Sequence, residues 1–285
     1  MSLPDIAICR RFFAEELRTA APVRSSDAVV EAFARVPREH FFDPGPWMIL
    51  PLTSPHGTYM TPDDDPRRLY HNVLVSIDQQ RGINNGGPGL WARLLDHALI
   101  APGERIMQVG TGTGYYSAIL AELVGPQGKV IAVEYDADLA ARTRRNLAGW
   151  PQVEVIHGDG TLHDPGPVDL VIAFAGSTHP ARLWLDRLRD NGRLIMPLTG
   201  AKGWGFALRA IRRGDDFEAR SLGPCGFIHC IGNRDTAAAR RLDRRFRLQG
   251  RRNLAIRSLH RGTPNGKQRS GVWYAGPGFW LSQRP

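Results

Sequence analysis

The sequence predicts an α/β fold in which helices cover both faces of a mainly parallel sheet. Beyond residue 88, short apolar strands alternate with helical segments, and a glycine-rich turn follows the first of these strands. Such alternation is typical of a parallel sheet that is buried on both faces. A chain of 285 residues suffices for one large domain, or for a domain with an extension. Its 42% of hydrophobic and 23% of charged residues exclude disordered and fibrous proteins.

The composition also restricts location and metal chemistry. No stretch approaches the roughly 18 consecutive apolar residues of a membrane helix, and charges interrupt the N-terminal apolar run, unlike in a signal peptide. We therefore expect a cytoplasmic protein with no membrane partner. The three cysteines, Cys9, Cys225 and Cys230, are too sparse for a disulfide framework, and the histidines form no ligand pair, so no metal site is predicted.

The N-terminal part of the chain, residues 1–82, is predicted to form a cap. Two short helices at 5–21 and 26–36 open it, and the second has N-cap residues and an apolar stripe. A long irregular segment rich in proline, glycine and aspartate follows at 44–81, and it contains a strand at 69–78. Long irregular segments of this kind are more often functional than structural.

Residues 83–232 are predicted to form the core, and residues 233–285 a basic extension packed on it. The predicted helices of the core are 89–99, 115–124, 137–149 and 180–189, and its strands are 104–110, 129–134, 153–159, 168–176, 193–199, 203–213 and 218–232. In the extension, a helix at 236–248 carries much of the arginine, and 271–282 is predicted to form edge strands.

The segment that indicates chemistry is the turn Gly110-Thr111-Gly112-Thr113-Gly114, between the first core strand and the next helix. Its glycines allow a ligand to approach the backbone, and the helix N-terminus offers N–H groups. Nicotinamide, flavin and S-adenosylmethionine sites all use such a turn. Two acids favour an adenosine ligand. Glu134 ends the second strand, where its carboxylate can bind ribose hydroxyls. Asp159 ends the third strand, between Gly158 and Gly160, where it can accept a hydrogen bond from the adenine amine.

Several ordered motifs resemble the protein-L-isoaspartate (D-aspartate) O-methyltransferase family over residues 10–232. The motifs are VVEAFARVPREHFF (29–42), PGERIMQVGTGTGYYSAILAELVG (102–125), VIAVEYDADLAARTRRNL (130–147), VEVIHGDGT (153–161) and NGRLIMPLTG (191–200). The resemblance implies a class I methyltransferase with a Rossmann-like, seven-stranded core and S-adenosyl-L-methionine as its cofactor. It further implies that the cofactor is bound by Gly110, Gly112, Gly114, Glu134, Gly158, Asp159 and Gly160.

One loop departs from the family. Ahead of the helix at 89–99 the family has Thr-Ile-Ser-x-Pro, whose hydroxyl lies beside the methyl group and the substrate carboxylate. Aligned on Pro88, this chain has Asn84, Asn85 and Gly86, so both hydroxyls are absent. Asn84 and Asn85 can supply amide donors instead, or they can equally hold the methionine tail of the cofactor, although Asn-Asn-Gly is also an ordinary turn sequence. The third catalytic candidate is His229, a base for a hydroxyl or amine acceptor.

We therefore predict an S-adenosylmethionine-dependent O-methyltransferase that methylates a carboxylate of a small molecule or a peptide. One alternative is a protein that binds the cofactor without isoaspartyl activity. Another is a methyltransferase for hydroxyls, amines or nucleic acid that uses the basic C-terminal region. Residues 201–285 contain 18 Lys+Arg and 5 Asp+Glu, against 19 and 23 in the remainder. This asymmetry indicates an acidic partner such as nucleic acid or a solvated arginine face, and we favour the solvated face.

Overall fold

The structure, a computed structural model, describes residues 5–21, 23, 26–51, 57–249, 254–266, 268 and 270–284. These residues form two compact units. The first comprises Met1–Gly103, Thr111–Val130 and Asp138–Val155, and the second comprises Glu104–Gly110, Ile131–Ala137 and Ile156–Pro285. The domain limits 1–82, 83–232 and 233–285 rest on sequence pattern alone and stay a prediction.

The first unit contains five helices, of which α5 starts one residue outside it, and a small sheet. The helices are α1 (Ile6–Ala20), α2 (Asp27–Arg35), α3 (Pro88–Ala98), α4 (Tyr115–Val124) and α5 (Ala137–Asn146). The strands are β1 (Met48–Leu50), β2 (Tyr59–Met60), β3 (Leu74–Asp78) and β4 (Ile83–Asn84), in the order β2-β1-β3-β4. Short 3-10 helices span Arg38–Phe41 and Pro66–Leu69.

Side-chain caps begin both N-terminal helices, and the cap of the second is the one that the sequence predicts. The Ala7 N–H donates to Asp5 Oδ1 over 2.7 Å at the start of α1, and the Val29 N–H donates to Ser26 Oγ over 3.3 Å at the start of α2. Each cap satisfies a backbone donor that has no partner within its helix. The apolar stripe of α2 is buried, and the ring of its Phe33 lies edge-on, 6.3 Å from that of Phe13.

The strand expected at 69–78 begins only at Leu74. Pro66 starts a short helix, since its fixed φ suits the first position of a helical turn. The carbonyls of Leu69, His71 and Val73 then accept hydrogen bonds from the Arg38 side chain. These carbonyls are therefore bonded to a side chain, and regular strand pairing starts beyond them.

Most of a ten-stranded mixed sheet belongs to the second unit, whereas its residues Lys129, Val130 and Val153–Val155 belong to the first. The strands of this sheet are β5 (Arg105–Val109), β6 (Lys129–Glu134), β7 (Val153–His157), β8 (Val168–Ala173), β9 (Leu188–Thr199), β10 (Trp204–Arg213), β11 (Asp216–Gly226), β12 (Ser258–Arg261), β13 (Val272–Gly276) and β14 (Phe279–Ser282). Their order is β13-β14-β12-β11-β10-β9-β8-β5-β6-β7. Strand β8 runs parallel to β5 and β9, whereas β9, β10, β11 and β12 alternate in direction.

This architecture confirms the predicted α/β class. Seven strands that are neighbours in the sheet correspond to the expected core: β7, β6, β5, β8, β9, β10 and β11. The C-terminal strands β12, β14 and β13 extend the same sheet to ten strands. Helices α6 (Arg182–Arg187) and α7 (Thr236–Gln249) complete the elements. Helix α6 is shorter than the predicted 180–189, because the chain enters β9 at Leu188. Buried side chains from α6, α7 and β13, among them Trp184, Phe246 and Trp273, share one core with the sheet.

The strand expected at 218–232 ends at Gly226. Beyond it, the Phe227 N–H donates to the Gly203 carbonyl, and the Cys230 N–H donates to the Gly176 carbonyl over 3.0 Å. The segment thus leaves β10 and bonds to the chain that follows β8. His229 consequently lies outside β11, in an isolated bridge with Gly176.

The end of the chain forms strands as predicted, with one correction. Strand β13 lies at the sheet edge, whereas β14 pairs with both β12 and β13 and is interior. Aromatic side chains fill this end of the core, where Trp273 and Phe279 are buried. Within the part of the chain that the structure describes, no helix has the length and apolar character needed to cross a bilayer.

Candidate active site

The turn between β5 and α4 holds three glycines in the left-handed region of backbone conformation. Their φ angles are +83° at Gly110, +58° at Gly112 and +97° at Gly114. Residues with a Cβ are strained there, which is the physical reason for the GxGxG spacing. Gly114 is the N-cap of α4 and, as a glycine, provides no side-chain cap of its own. The N-terminus of a helix suits a ligand that carries acceptor oxygens.

Two polar side chains of α5 support this turn within the first unit. Thr143 Oγ1 donates to the Gly112 carbonyl over 2.8 Å, and Asn146 Nδ2 donates to the Thr113 carbonyl over 2.9 Å. Thr143 is fully buried. Neither residue was predicted from the sequence. Their signal was two hydrogen-bonding side chains three positions apart on a helix, a spacing that places them on one face.

In the second unit, backbone hydrogen bonds bring the ends of β5, β6 and β7 together. The Gly110 N–H donates to the Val133 carbonyl over 2.8 Å, and the Gly158 N–H donates to the Glu134 carbonyl over 2.9 Å. The Glu134 side chain is 8% exposed, and its Oε1 accepts from the Asp136 N–H over 3.1 Å. A carboxylate is thus fixed at the tip of β6.

The second predicted acid, Asp159, directly follows Gly158 after β7. Its Oδ1 accepts from the Thr161 N–H over 2.8 Å and from Thr161 Oγ1 over 2.7 Å. Its Oδ2 faces Gly232 so closely that a Cβ at position 232 would overlap it. One carboxylate oxygen is therefore fixed by the local turn, and the other lies against the segment that follows β11.

The glycines on either side of Asp159 have different surroundings. A Cβ at Gly160 would lie 2.6 Å from Val109 Cγ1 of β5, well inside van der Waals contact. Position 160 therefore needs glycine for packing, and its carbonyl also accepts from Trp184 Nε1 over 2.8 Å. At Gly158, nothing among the described residues lies within 4 Å of the Cβ position. Open space of this kind beside an acid suits a planar ring.

The loop that departs from the family pattern has a defined shape in the first unit. Asn84 Oδ1 accepts from the Gly86 N–H over 2.9 Å, and the Tyr116 hydroxyl donates to the Gly86 carbonyl over 3.1 Å. Gly86 has φ +77°, and a Cβ there would lie 2.8 Å from Trp91 Nε1. A serine at position 86, as in the family, is therefore excluded both by the backbone and by Trp91.

Asn85 is buried and is part of a network centred on Arg38. Its Oδ1 accepts from the Val75 N–H over 3.0 Å and from Arg38 Nη2 over 3.4 Å, and its Nδ2 has no partner among the described residues. Arg38 has 0% exposure, and burial lowers its pKa. Arg38 Nη1 donates to the Leu69 and His71 carbonyls, and Nη2 to the Val73 carbonyl. The network joins residues 69–73 to the Asn84–Gly86 loop.

His229 is exposed in the second unit. Partial burial lowers its pKa, and the nearby Arg234 cation lowers it further. Arg234 is itself held by backbone, since its guanidinium donates to the carbonyls of Gly176, Thr199 and Gly200. His229 therefore favours the neutral imidazole form.

The predicted site residues fall in two groups. The first unit contains Gly112, Gly114, Asn84 and Asn85, and the second contains Gly110, Glu134, Gly158, Asp159, Gly160 and His229. Within the second group, the backbone bonds described above join Gly158 directly to Glu134, and Gly110 to the residue before Glu134. The roles of all these residues stay predictions.

Comparison with known proteins identifies the family. The profile of protein-L-isoaspartate(D-aspartate) O-methyltransferase (PCMT) matches residues 13–235. The chain belongs to this family. Protein-L-isoaspartate O-methyltransferase of Methanothermobacter thermautotrophicus is 29% identical over 228 residues, which are 78% of this chain and 95% of that protein.

Solved structures share the fold. A structure of a protein-L-isoaspartate O-methyltransferase superposes with a TM-score of 0.66 at 22% identity, covering 88% of this chain and 73% of the other. A β-aspartate methyltransferase from Plasmodium falciparum, in complex with S-adenosyl-L-homocysteine, gives a TM-score of 0.62 at 18% identity, covering 79% and 99%. The Rossmann-like class I methyltransferase fold expected from the motifs is thereby confirmed.

As a PCMT member, the chain is a carboxyl O-methyltransferase that depends on S-adenosyl-L-methionine. The residues present fit this cofactor. An adenosine group needs acceptors for its hydroxyls and its amine and room for its ring. The buried Glu134 carboxylate, Asp159 and the open position at Gly158 meet these needs. The prediction of an S-adenosylmethionine enzyme is confirmed, and the nicotinamide and flavin alternatives are set aside.

Proposed function

We propose that this chain methylates a carboxylate of a peptide or a small molecule, and that the Asn84–Gly86 loop holds the acceptor. The observation that carries the proposal is the hydrogen bonding of Asn84. Its Oδ1 caps the turn at Gly86, while its Nδ2 forms no hydrogen bond among the described residues and the side chain is half-buried. An amide donor is thus presented at the position where the family has a hydroxyl.

In this proposal Asn85 positions the loop and Asn84 contacts the acceptor. Asn85 Oδ1 is engaged by the Val75 N–H and by Arg38, and the residue is buried. This contact joins the loop to β3 and to the backbone of residues 69–73. A donor on a fixed loop loses little conformational freedom on binding, which favours a precisely placed acceptor.

When bound, S-adenosyl-L-methionine supplies a methyl group on a positively charged sulfur. Glu134 and Asp159 would hold its adenosine part, and the glycines at 110, 112 and 114 would let it approach the backbone. An acceptor carboxylate is already ionised at neutral pH, so it needs no general base. The loop has two tasks: to hold the carboxylate in line and to exclude water. His229 is not required as a base in this scheme, and its lowered pKa keeps it largely neutral near pH 7.

The acceptor to test first is an isoaspartyl peptide, because the curated relatives are named protein-L-isoaspartate O-methyltransferases. The experiment is calorimetric titration with S-adenosyl-L-homocysteine, followed by methyl transfer to an isoaspartyl peptide and to a panel of small carboxylic acids. Turnover on any of these acceptors supports the proposal. Cofactor binding without turnover on any carboxylate overturns it and favours the alternatives from the sequence: binding alone, or a hydroxyl, amine or nucleic-acid acceptor.

Two substitutions test the role of Asn84. Asn84→Asp keeps an oxygen for the Gly86 N–H but replaces the amide donor by a negative charge that repels a carboxylate. Asn84→Ala removes both functions. We expect both variants to bind S-adenosyl-L-homocysteine as the unmodified protein does and to raise KM for the acceptor at least tenfold, about 1.4 kcal/mol. Unchanged KM in Asn84→Asp would refute the assignment of Asn84 as donor.

A further inference from the structure

Helix α7 lies just beyond the part of the chain that matches the family. The match ends at residue 235, and α7 begins at Thr236. One face of α7 is buried in the core of the second unit through apolar residues that include Leu242 and Phe246. Arg240, Arg244 and Arg247 are exposed. Their spacing of four and three residues places them along one face of the helix.

These three arginines form a row without an acidic partner. Among the described residues, no carboxylate lies within ion-pair distance of Arg240, Arg244 or Arg247. Several arginines elsewhere are ion-paired, as in Arg11–Glu31 at 2.6 Å and Arg18–Asp27 at 2.7 Å. Like charges at such spacing repel each other and destabilise a helix. The unpaired row therefore has a cost within the folded chain that an external anion would remove.

The acid within α7 does not neutralise this row. Asp243 Oδ2 accepts from the Ala201 N–H over 3.1 Å, and a Cβ at Gly200 would overlap Asp243 Oδ1. The carboxylate is thus bonded to the loop after β9. The helix presents its cations to solvent and keeps its one acid bound to backbone.

We propose that the exposed face of α7 binds the phosphate backbone of nucleic acid. A protein partner needs an apolar centre at its interface. Among its described residues, α7 exposes one large apolar side chain, Leu248, which is too little for such a centre. A phosphate backbone needs regularly spaced cations, and the guanidinium fork binds phosphate oxygens in a bidentate manner. The excess of basic residues in 201–285 adds a long-range field that draws polyanions to this region. This surface is separate from the methylation chemistry and stands without it.

The test measures binding of a fluorescein-labelled 20-base-pair DNA duplex by fluorescence anisotropy at several salt concentrations. The protein variant is Arg240→Gln/Arg244→Gln/Arg247→Gln. Each lost phosphate contact should reduce the slope of log K against log salt by about 0.9, so the triple variant should lose about 3 units of slope. At 0.1 M salt its affinity should fall about a hundredfold or more. Circular dichroism and S-adenosyl-L-homocysteine titration report whether the variant is folded.

A matched control separates local contact from net charge. Arg11→Gln/Arg18→Gln/Arg68→Gln removes the same charge from exposed, ion-paired sites in the first unit, and it should keep nearly all of the affinity. Lysine at positions 240, 244 and 247 should restore binding, since phosphate contacts tolerate an ammonium group.

Four outcomes overturn the proposal. The first is absence of duplex binding by the unmodified protein at 50 mM salt. The second is an equal loss of affinity in the control variant, which would mean binding by net charge alone. The third is tighter binding of a polyglutamate peptide of the same charge than of the duplex, which would assign the surface to an acidic protein. Retained affinity in the glutamine variant would likewise refute it.

Discussion

Substitution of Gly160 tests core packing, and the matched substitution of Gly158 tests cofactor binding. In Gly160→Ala the new Cβ would lie 2.6 Å from Val109 Cγ1 and 3.1 Å from Cγ2. Overpacking of this kind lowers the free energy of unfolding by about 1–3 kcal/mol, which corresponds to a fall in Tm of roughly 2–12 °C in a chain of this size. In Gly158→Ala no described atom lies within 4 Å of the new Cβ.

The Gly158→Ala variant should therefore keep its Tm, or gain up to about 1 kcal/mol from reduced entropy of the unfolded chain. If the adenosyl group occupies that open space, the added methyl group weakens S-adenosyl-L-homocysteine binding by about 1–3 kcal/mol, roughly 5- to 150-fold in Kd. Differential scanning calorimetry measures the Tm, and isothermal titration measures the Kd. Unchanged Kd in Gly158→Ala would refute the cofactor placement, and unchanged Tm in Gly160→Ala would refute the packing argument.

Three further predictions concern the two units separately. Arg38→Met leaves three carbonyls without their donor and should lower the free energy of unfolding by about 2–4 kcal/mol in urea titrations, the scale for buried unpaired groups; equal stability would contradict the network. Gly86→Ser, which restores the family residue, should lower Tm and leave isoaspartyl activity no higher, because of its φ of +77° and the contact with Trp91; a gain in activity would show that the loop adapts. Burial raises the pKa of the Cys230 thiol from 9.0 to about 11. The contribution of this thiol to the free energy of unfolding is therefore full below pH 9 and is lost as pH rises through 11. The stability difference between the unmodified protein and Cys230→Ala should shrink over that interval, and a constant difference would contradict this.

Local sequence pattern was sufficient for the core of the fold. Apolar strands alternating with helices predicted the α/β class, and the spacing of Gly110, Gly112 and Gly114 reflects three left-handed backbone positions. The acids Glu134 and Asp159 were found because each ends a predicted apolar strand. All these signals lie within a few residues of the feature that they predict.

The features that sequence reasoning missed depend on contacts between distant residues. Arg38 bonds to carbonyls more than thirty positions away, and so the strand expected from residue 69 begins at Leu74. The Gly112 carbonyl is held by Thr143, from another helix. His229 was placed in a strand because apolar residues surround it, whereas the segment bonds to Gly176 instead of extending β11. The periodicity of a sequence does not show which distant residue will form these hydrogen bonds.

The close approach of Gly232 to Asp159 has a thermodynamic consequence. Gly232, at the end of the segment 227–232, lies against the acid after β7 with no space for a side chain between them. If Asp159 holds the cofactor and this contact couples it to the segment, a change that orders the segment changes cofactor affinity, and the cofactor orders the segment by the same free energy, since linkage is reciprocal. Amide exchange at Phe227 to Ile231 should then slow when S-adenosyl-L-homocysteine binds. Cofactor binding and the order of the segment that carries His229 would then be two linked equilibria.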